Sequence, residues 1–141
     1  MLKTVLVALD GSEIAEKVIE TLDHLVFSQD ARIVLCHVFS TPESKIELSG
    51  DRPHPESPIF SDFHIQKQLQ SYQEKLSVKT DLELVSGDPA EEIIRLANIY
   101  KTDLIIIGSR GLTGIKRIVL GSVSNQVVEE ANCSVLVVKT N

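Results

Sequence analysis

Four of the seven glycines in this 141-residue chain fall close together, at 108, 111, 114 and 121, and Gly121 runs directly into Ser122, Val123 and Ser124. Glycine has no Cβ, so backbone N–H groups at such positions can approach an anion with no side chain in the way. Ahead of these glycines stands the most hydrophobic run of the chain, Asp103-Leu104-Ile105-Ile106-Ile107, and after them residues 122–131 read as a helix. The segment therefore joins a strand end to a helix N-terminus, whose unpaired N–H groups and positive dipole end suit a phosphate. Ser122 and Ser124 add hydroxyl donors, and Arg110, Lys116 and Arg117 gather positive charge there, although the net charge is −6. A plain strand-to-helix turn could use the same glycines for close packing, so the residues alone leave both readings open.

The elements that must position this loop follow from periodicity. Val5-Leu6-Val7-Ala8-Leu9 is continuously apolar, as a strand buried on both faces should be,. It stops at Asp10-Gly11-Ser12, a turn whose serine can cap a helix. Ile14, Ala15, Val18, Ile19, Leu22 and Leu25 then recur at helical spacing, which predicts a helix to about residue 28,. Residues 32–39 read as a second strand. Helical spacing returns near Phe63, and residues 79–85 alternate like an edge strand. Gly87-Asp88-Pro89 opens a helix expected to bury Ile93, Ile94, Leu96 and Ala97, and residues 134–138 close the chain as a strand,. Alternating strands and helices predict an α/β fold: a doubly wound, Rossmann-like, five-stranded parallel sheet with helices on both faces. With the order 3-2-1-4-5, strands one and four are neighbours, and ligands bind outside such a reversal of strand order.

The length suits one domain over residues 1–141,. Residues 41–58 hold four of the five prolines and few apolar residues, and are expected to form a flexible loop within it,. Hydrophobic residues make up 43% and charged residues 24%, an ordinary balance for a globular protein,. The negative charge argues against nucleic acid or an anionic membrane as partner, and six aromatic residues without tryptophan argue against base stacking,. No run is long enough to span a membrane and no leader is evident, so a cytoplasmic protein is expected. Cys36 and Cys133 lack metal-site spacing and read as two buried thiols,.

The spacing Gly108-x2-Gly111-x9-Gly121-Ser122 resembles the nucleotide motif of the universal stress protein family, in its ATP-binding subgroup. Residues 5–12, His37-Val38, the segment Gly87-Asp88-Pro89-Ala90-Glu91-Glu92-Ile93, and residues 103–108 resemble the same family, so the likeness runs along nearly the whole chain. It implies ATP as ligand, with Mg²⁺, a homodimer, and a regulatory part in stress adaptation. By the same resemblance, Ala8 and Asp10 would border the adenosine, Asp10 meeting ribose or a metal-bound phosphate. Val38 would contact adenine through its backbone and Ile107 would pack on the base. Gly108, Gly111, Gly121, Ser122 and Val123 would hold ribose and phosphates, with Ser124 beside them. Ala8 departs from members that carry proline there, which bears only on the shape of the adenine wall.

Other chemistries fit less well. A phosphoacceptor receiver needs an acidic pair after strand one and an aspartate ending strand three; here a single Asp10 and Val85-Ser86-Gly87 stand instead. Neither GxxxxGK[ST] nor GxGxxG after strand one is present,. His24, His37, His54 and His64 are scattered and give no catalytic set; His37, at a strand end, is expected to be a hydrogen-bonded structural residue. Glu91-Glu92 and Glu129-Glu130 read as solvated helix faces. With no base to position water, hydrolysis should be slow or incidental. The rival classes are a slow ATP or adenylate hydrolase and a dimeric interaction protein whose glycine loop is architectural. The last strand, Ser134-Val135-Leu136-Val137-Val138, lies at a sheet edge without charge or proline, so pairing with its copy in a homodimer is expected,.

Overall fold

Strands covered on both faces bury successive residues, and Val5, Leu6 and Val7 are all fully buried,. The computed structural model describes residues 1–9, 14–39, 58–108 and 122–139. Its strands are β1 (Leu2–Ala8), β2 (Phe27–Phe39), β3 (Lys79–Ser86), β4 (Leu104–Gly108) and β5 (Ser134–Val138). They form one parallel sheet in the order β3-β2-β1-β4-β5. The described helices are α1 (Ile14–Thr21), α2 (Pro58–Lys75), α3 (Pro89–Ile99) and α4 (Ser122–Glu130), with a 3-10 turn at Leu22–His24. This is the doubly wound, Rossmann-like α/β fold expected from the sequence.

Side-chain alternation divides the core in two. Val5, Val7, Ile33, Leu35 and Ile106 pack with Ala15, Val18, Leu69 and Tyr72 of α1 and α2. Leu6, Val34, Cys36, Ile105 and Ile107 pack with Ile93, Leu96 and Val127 of α3 and α4. One face is thus covered by the first two helices and the other by the last two. β1 therefore meets β4 in the middle of the sheet, where the winding reverses.

β1 begins at Leu2, three residues before the apolar run at Val5, and three further boundaries differ from the periodicity. α1 ends at Thr21, and the spacing of Leu22 and Leu25 continues as the 3-10 turn, which also places residues three apart on one side,. β2 begins at Phe27, not Arg32. Leu2 faces Phe27 while Thr4 faces Arg32, so a bulge absorbs the polar Ser28, Gln29 and Asp30 that conceal the strand,. α2 begins at Pro58, five residues before Phe63, with proline at the first helical position, where its missing N–H costs nothing,. The rest of the proline-rich segment, residues 41–57, lies outside the described residues.

α3 follows the sequence closely. The Asp88 carboxylate accepts from the Glu91 backbone N–H at 3.1 Å, and Pro89 occupies the first turn,. Gly87 has φ +143, and an added Cβ would lie 3.0 Å from Glu92 Cγ, so glycine is required at this turn,. Ile94 is half-buried, not buried, because it stands at the rim of the face that Ala90, Ile93 and Ala97 bury.

Candidate functional site

The carboxyl ends of the central strands bring most of the expected adenosine wall together. Ala8 ends β1 and pairs with Cys36 of β2 on one side and Ile107 of β4 on the other. Val38 lies two residues beyond Cys36, on the same face. Ala8, Val38 and Ile107 share one apolar cluster with Val123 of α4. Ala8 is the smallest side chain of these four. Gly108 pairs with Val138 and ends β4 beside it. The first residues of α4 come to the same end of the sheet, since β4 leads up to this edge and α4 returns from it. Ser124 is buried in its first turn. Asp10, Gly111 and Gly121 lie outside the described residues, as does the side chain of Ser122.

The exit of β1 is held by a contact that the motif does not contain. Leu9, just beyond the strand, donates its N–H to the Cys36 carbonyl at 2.9 Å. Its carbonyl lies 2.7 Å from His37 Nδ1. A carbonyl only accepts, so Nδ1 carries the proton and donates. His37 is 9% exposed, and its ring packs edge-on against Phe39, with centroids 4.6 Å apart. His37 is thus a hydrogen-bonded structural histidine, as the sequence suggested. A histidine in the otherwise apolar run of residues 33–39, next to a candidate ligand residue, was the available sign of this clamp.

Backbone directions at the end of β2 follow from two bonds. The Cys36 carbonyl faces β1, while the Phe39 carbonyl accepts from Gly87 N–H at 2.9 Å on the β3 side. Strand alternation then turns the N–H and C=O of Val38 toward the β1 side, above the last residue of that strand. These are the groups a base could meet in the crevice.

The remaining polar groups stand elsewhere. Towards the β3 edge of the sheet, the Tyr100 hydroxyl donates to Glu83, and Arg32 pairs with Asp81 at 3.4 Å while its guanidinium lies 5.6 Å from the Tyr100 ring centre. Glu92 is ion-paired with Arg95 at 2.6 Å and half-buried, whereas Glu91, Glu129 and Glu130 are exposed. Burial, with Glu83 adding to it, pushes the Cys36 thiol up to about 12, so it is inert at neutral pH,. Cys133 is half-buried, not buried, because it precedes β5 at the edge of the sheet. Among the described residues no three His, Cys, Asp or Glu side chains could hold a metal ion. No described helix is long and apolar enough to cross a membrane.

The model of the Universal stress protein family matches residues 1–139. The chain belongs to the universal stress protein family. Among curated universal stress proteins it is similar to YxiE of Bacillus subtilis, at 32% identity over 99% of this chain and 100% of that one. The solved structure of MJ0577, from Methanocaldococcus jannaschii, superposes with a TM-score of 0.82 at 29% identity, covering 100% of this chain and 98% of the other. A universal stress protein family structure from Arabidopsis thaliana, described with AMP bound, superposes with a TM-score of 0.67 at 22% identity, over 99% of this chain and 92% of its own. That last likeness concerns the fold of the universal stress protein.

Proposed function

We propose that residues 1–141 form one cytoplasmic universal stress protein domain that binds ATP with Mg²⁺ and acts as a dimeric, nucleotide-dependent regulatory module. The observation that carries this reading is the meeting of Ala8, Val38, Ile107 and Val123 at the β1–β4 reversal, beside the start of α4. An adenine ring needs an apolar slot with a few convergent polar groups. The Val38 backbone supplies such groups, and the AMP bound by the Arabidopsis relative is of the same ligand class. Asp10, Gly108, Gly111, Gly121, Ser122 and Ser124 complete the proposed contacts to ribose and phosphates. The spaced glycines and the helix N-terminus together favour an anion.

Mg²⁺ takes hard oxygen ligands. It would be held by the nucleotide phosphates, with the carboxylate of Asp10 the candidate protein ligand. The bound ion would neutralise phosphate charge. Retention of nucleotide, with at most weak hydrolysis, is the expected behaviour.

Calorimetry with ATP and Mg²⁺ tests the reading. The wild-type chain should bind, and Gly111→Val and Gly121→Val should each weaken binding by about tenfold or more, ~1.4 kcal/mol. Asp10→Ala should weaken it less, and Ser109→Ala should change little. Equal affinity in all five proteins, or no binding by the wild type at millimolar ATP, would return the glycine loop to an architectural role.

A further inference from the structure

We propose that His37 is a positioning residue that keeps the backbone N–H of Val38 available to the base, and so sets the preference for adenine over guanine. The proposal rests on the nucleotide reading of the site. In a parallel ladder, a residue whose N–H bonds to one neighbour residue sends its C=O to the N–H two residues further along the same strand. Leu9 N–H bonds to the Cys36 carbonyl, so the next rung would run from Val38 N–H to the Leu9 carbonyl. That rung is not formed: the β1–β2 register ends at Ala8↔Cys36, and Leu9 lies outside β1. The Leu9 carbonyl instead accepts from His37 Nδ1–H at 2.7 Å.

The direction of this bond matters. His37 lies on the α1/α2 face of β2, the face of Ile33 and Leu35, whereas Val38 lies on the opposite one. A ring on that face draws the Leu9 carbonyl out of the plane of the sheet and away from Val38 N–H. Packing against Phe39 fixes the ring in place. The N–H and C=O of Val38 then have no backbone partner on the β1 side among the described residues, and form a donor–acceptor pair facing the crevice. Adenine presents an acceptor at N1 and a donor at N6, which match that pair. Guanine presents a donor at N1 and an acceptor at O6, the reverse order. Without the imidazole, the Leu9 carbonyl can close onto Val38 N–H, extending the ladder and consuming the donor.

The test compares the full-length wild type with His37→Leu, which removes the donor, and His37→Asn, whose amide N–H can stand near the place of Nδ1–H. Amide hydrogen exchange by NMR, without nucleotide, should show Val38 exchanging at least tenfold faster than Val34 and Cys36 in the wild type. His37→Leu should slow Val38 about tenfold, and His37→Asn should restore the wild-type rate. By calorimetry, His37→Leu should lower the ratio of ATP to GTP affinity about tenfold with GTP affinity unchanged, and His37→Asn should recover it. Val38 protection equal to that of Cys36 in the wild type overturns the proposal even if His37→Leu does not fold. An unchanged ATP to GTP ratio in folded His37→Leu overturns it while leaving nucleotide binding intact. Failure of the wild type to bind ATP overturns both the site reading and the role of His37 within it.

Discussion

Asp103 and Thr4 hold each other twice: Thr4 N–H donates to the Asp103 carboxylate at 2.9 Å, and Asp103 N–H donates to the Thr4 carbonyl at 2.8 Å. The same carboxylate oxygen accepts from Lys3 N–H at 3.1 Å. These bonds tie the amino ends of β1 and β4, the two strands whose carboxyl ends frame the crevice. Asp103→Ala would leave both N–H groups to water, at an expected cost of about 1–2 kcal/mol given their exposure. Urea denaturation should show a lower midpoint for Asp103→Ala and a smaller drop for Asp103→Asn, which keeps one acceptor. An unchanged midpoint in the alanine variant would show that the clamp adds nothing.

Thr102, next to that clamp, gives a change of opposite sign. Its backbone N–H closes the end of α3 on the Ala97 carbonyl at 2.9 Å, past Lys101 at φ 52,. Its hydroxyl is buried with no hydrogen-bond partner among the described residues. Valine has the same branched shape without the unsatisfied oxygen, so Thr102→Val should stabilise the protein by about 1 kcal/mol. A lower melting temperature in Thr102→Val would mean that the hydroxyl is satisfied in solution.

Alkaline pH should weaken the Tyr100–Glu83 contact. The hydrogen bond to Glu83, with burial and nearby carboxylates adding to it, raises the Tyr100 phenol from 10.0 to about 12. Because the folded value lies above the unfolded one, the contribution is fully present below pH 10 and is lost as pH rises toward about 12,. Partial exposure of Tyr100 keeps it small,. The stability difference between wild type and Tyr100→Phe should be constant below pH 10 and shrink above it. The phenolate absorbance titration of the wild type should also contain a late step that Tyr100→Phe lacks. Coincident curves for the two proteins would refute the assignment.

The proposed dimer is tested at β5. This strand is an edge of the sheet, and Val135, Leu136 and Val137 are only half-buried along it. Val137→Asp puts a charge on the edge that the partner copy would have to pair, and should convert a dimer into a monomer by light scattering at micromolar concentration. A monomeric wild type would remove the dimer from the proposed function.

The fold was legible because the centres of its strands are apolar in unbroken runs: β4 and β5 each lie within one residue of the expected span, while β1 starts three residues early, at Leu2, and takes in the polar Lys3 and Thr4. What escaped were features made by partners distant in sequence. Phe27 and the polar residues after it join β2 because Leu2 pairs with Phe27, which no local pattern announces. The Asp103 clamp spans 99 residues to Thr4, and the Tyr100 contact with Glu83 links the end of a helix to an edge strand. At the site, residue types pointed to Ala8, Val38 and Ile107 through resemblance, and the structure gathers them in one cluster. The bond from His37 to Leu9 depends on the register of β1 against β2, which the sequence does not display.

The pairing of β1 with β4 also constrains when the crevice can exist. Val5 faces Leu104 and Ala8 faces Ile107, so the central seam joins an early segment of the chain to a late one. During synthesis, β1, β2 and β3 are all made before β4, and until β4 is available one side of β1 remains an open edge. A nascent chain that stops short of residue 104 therefore carries the Val38 backbone but no opposite wall. The proposed nucleotide capture would have to wait for the second half of the chain, and a ribosome-bound fragment ending at Ser86 should retain none.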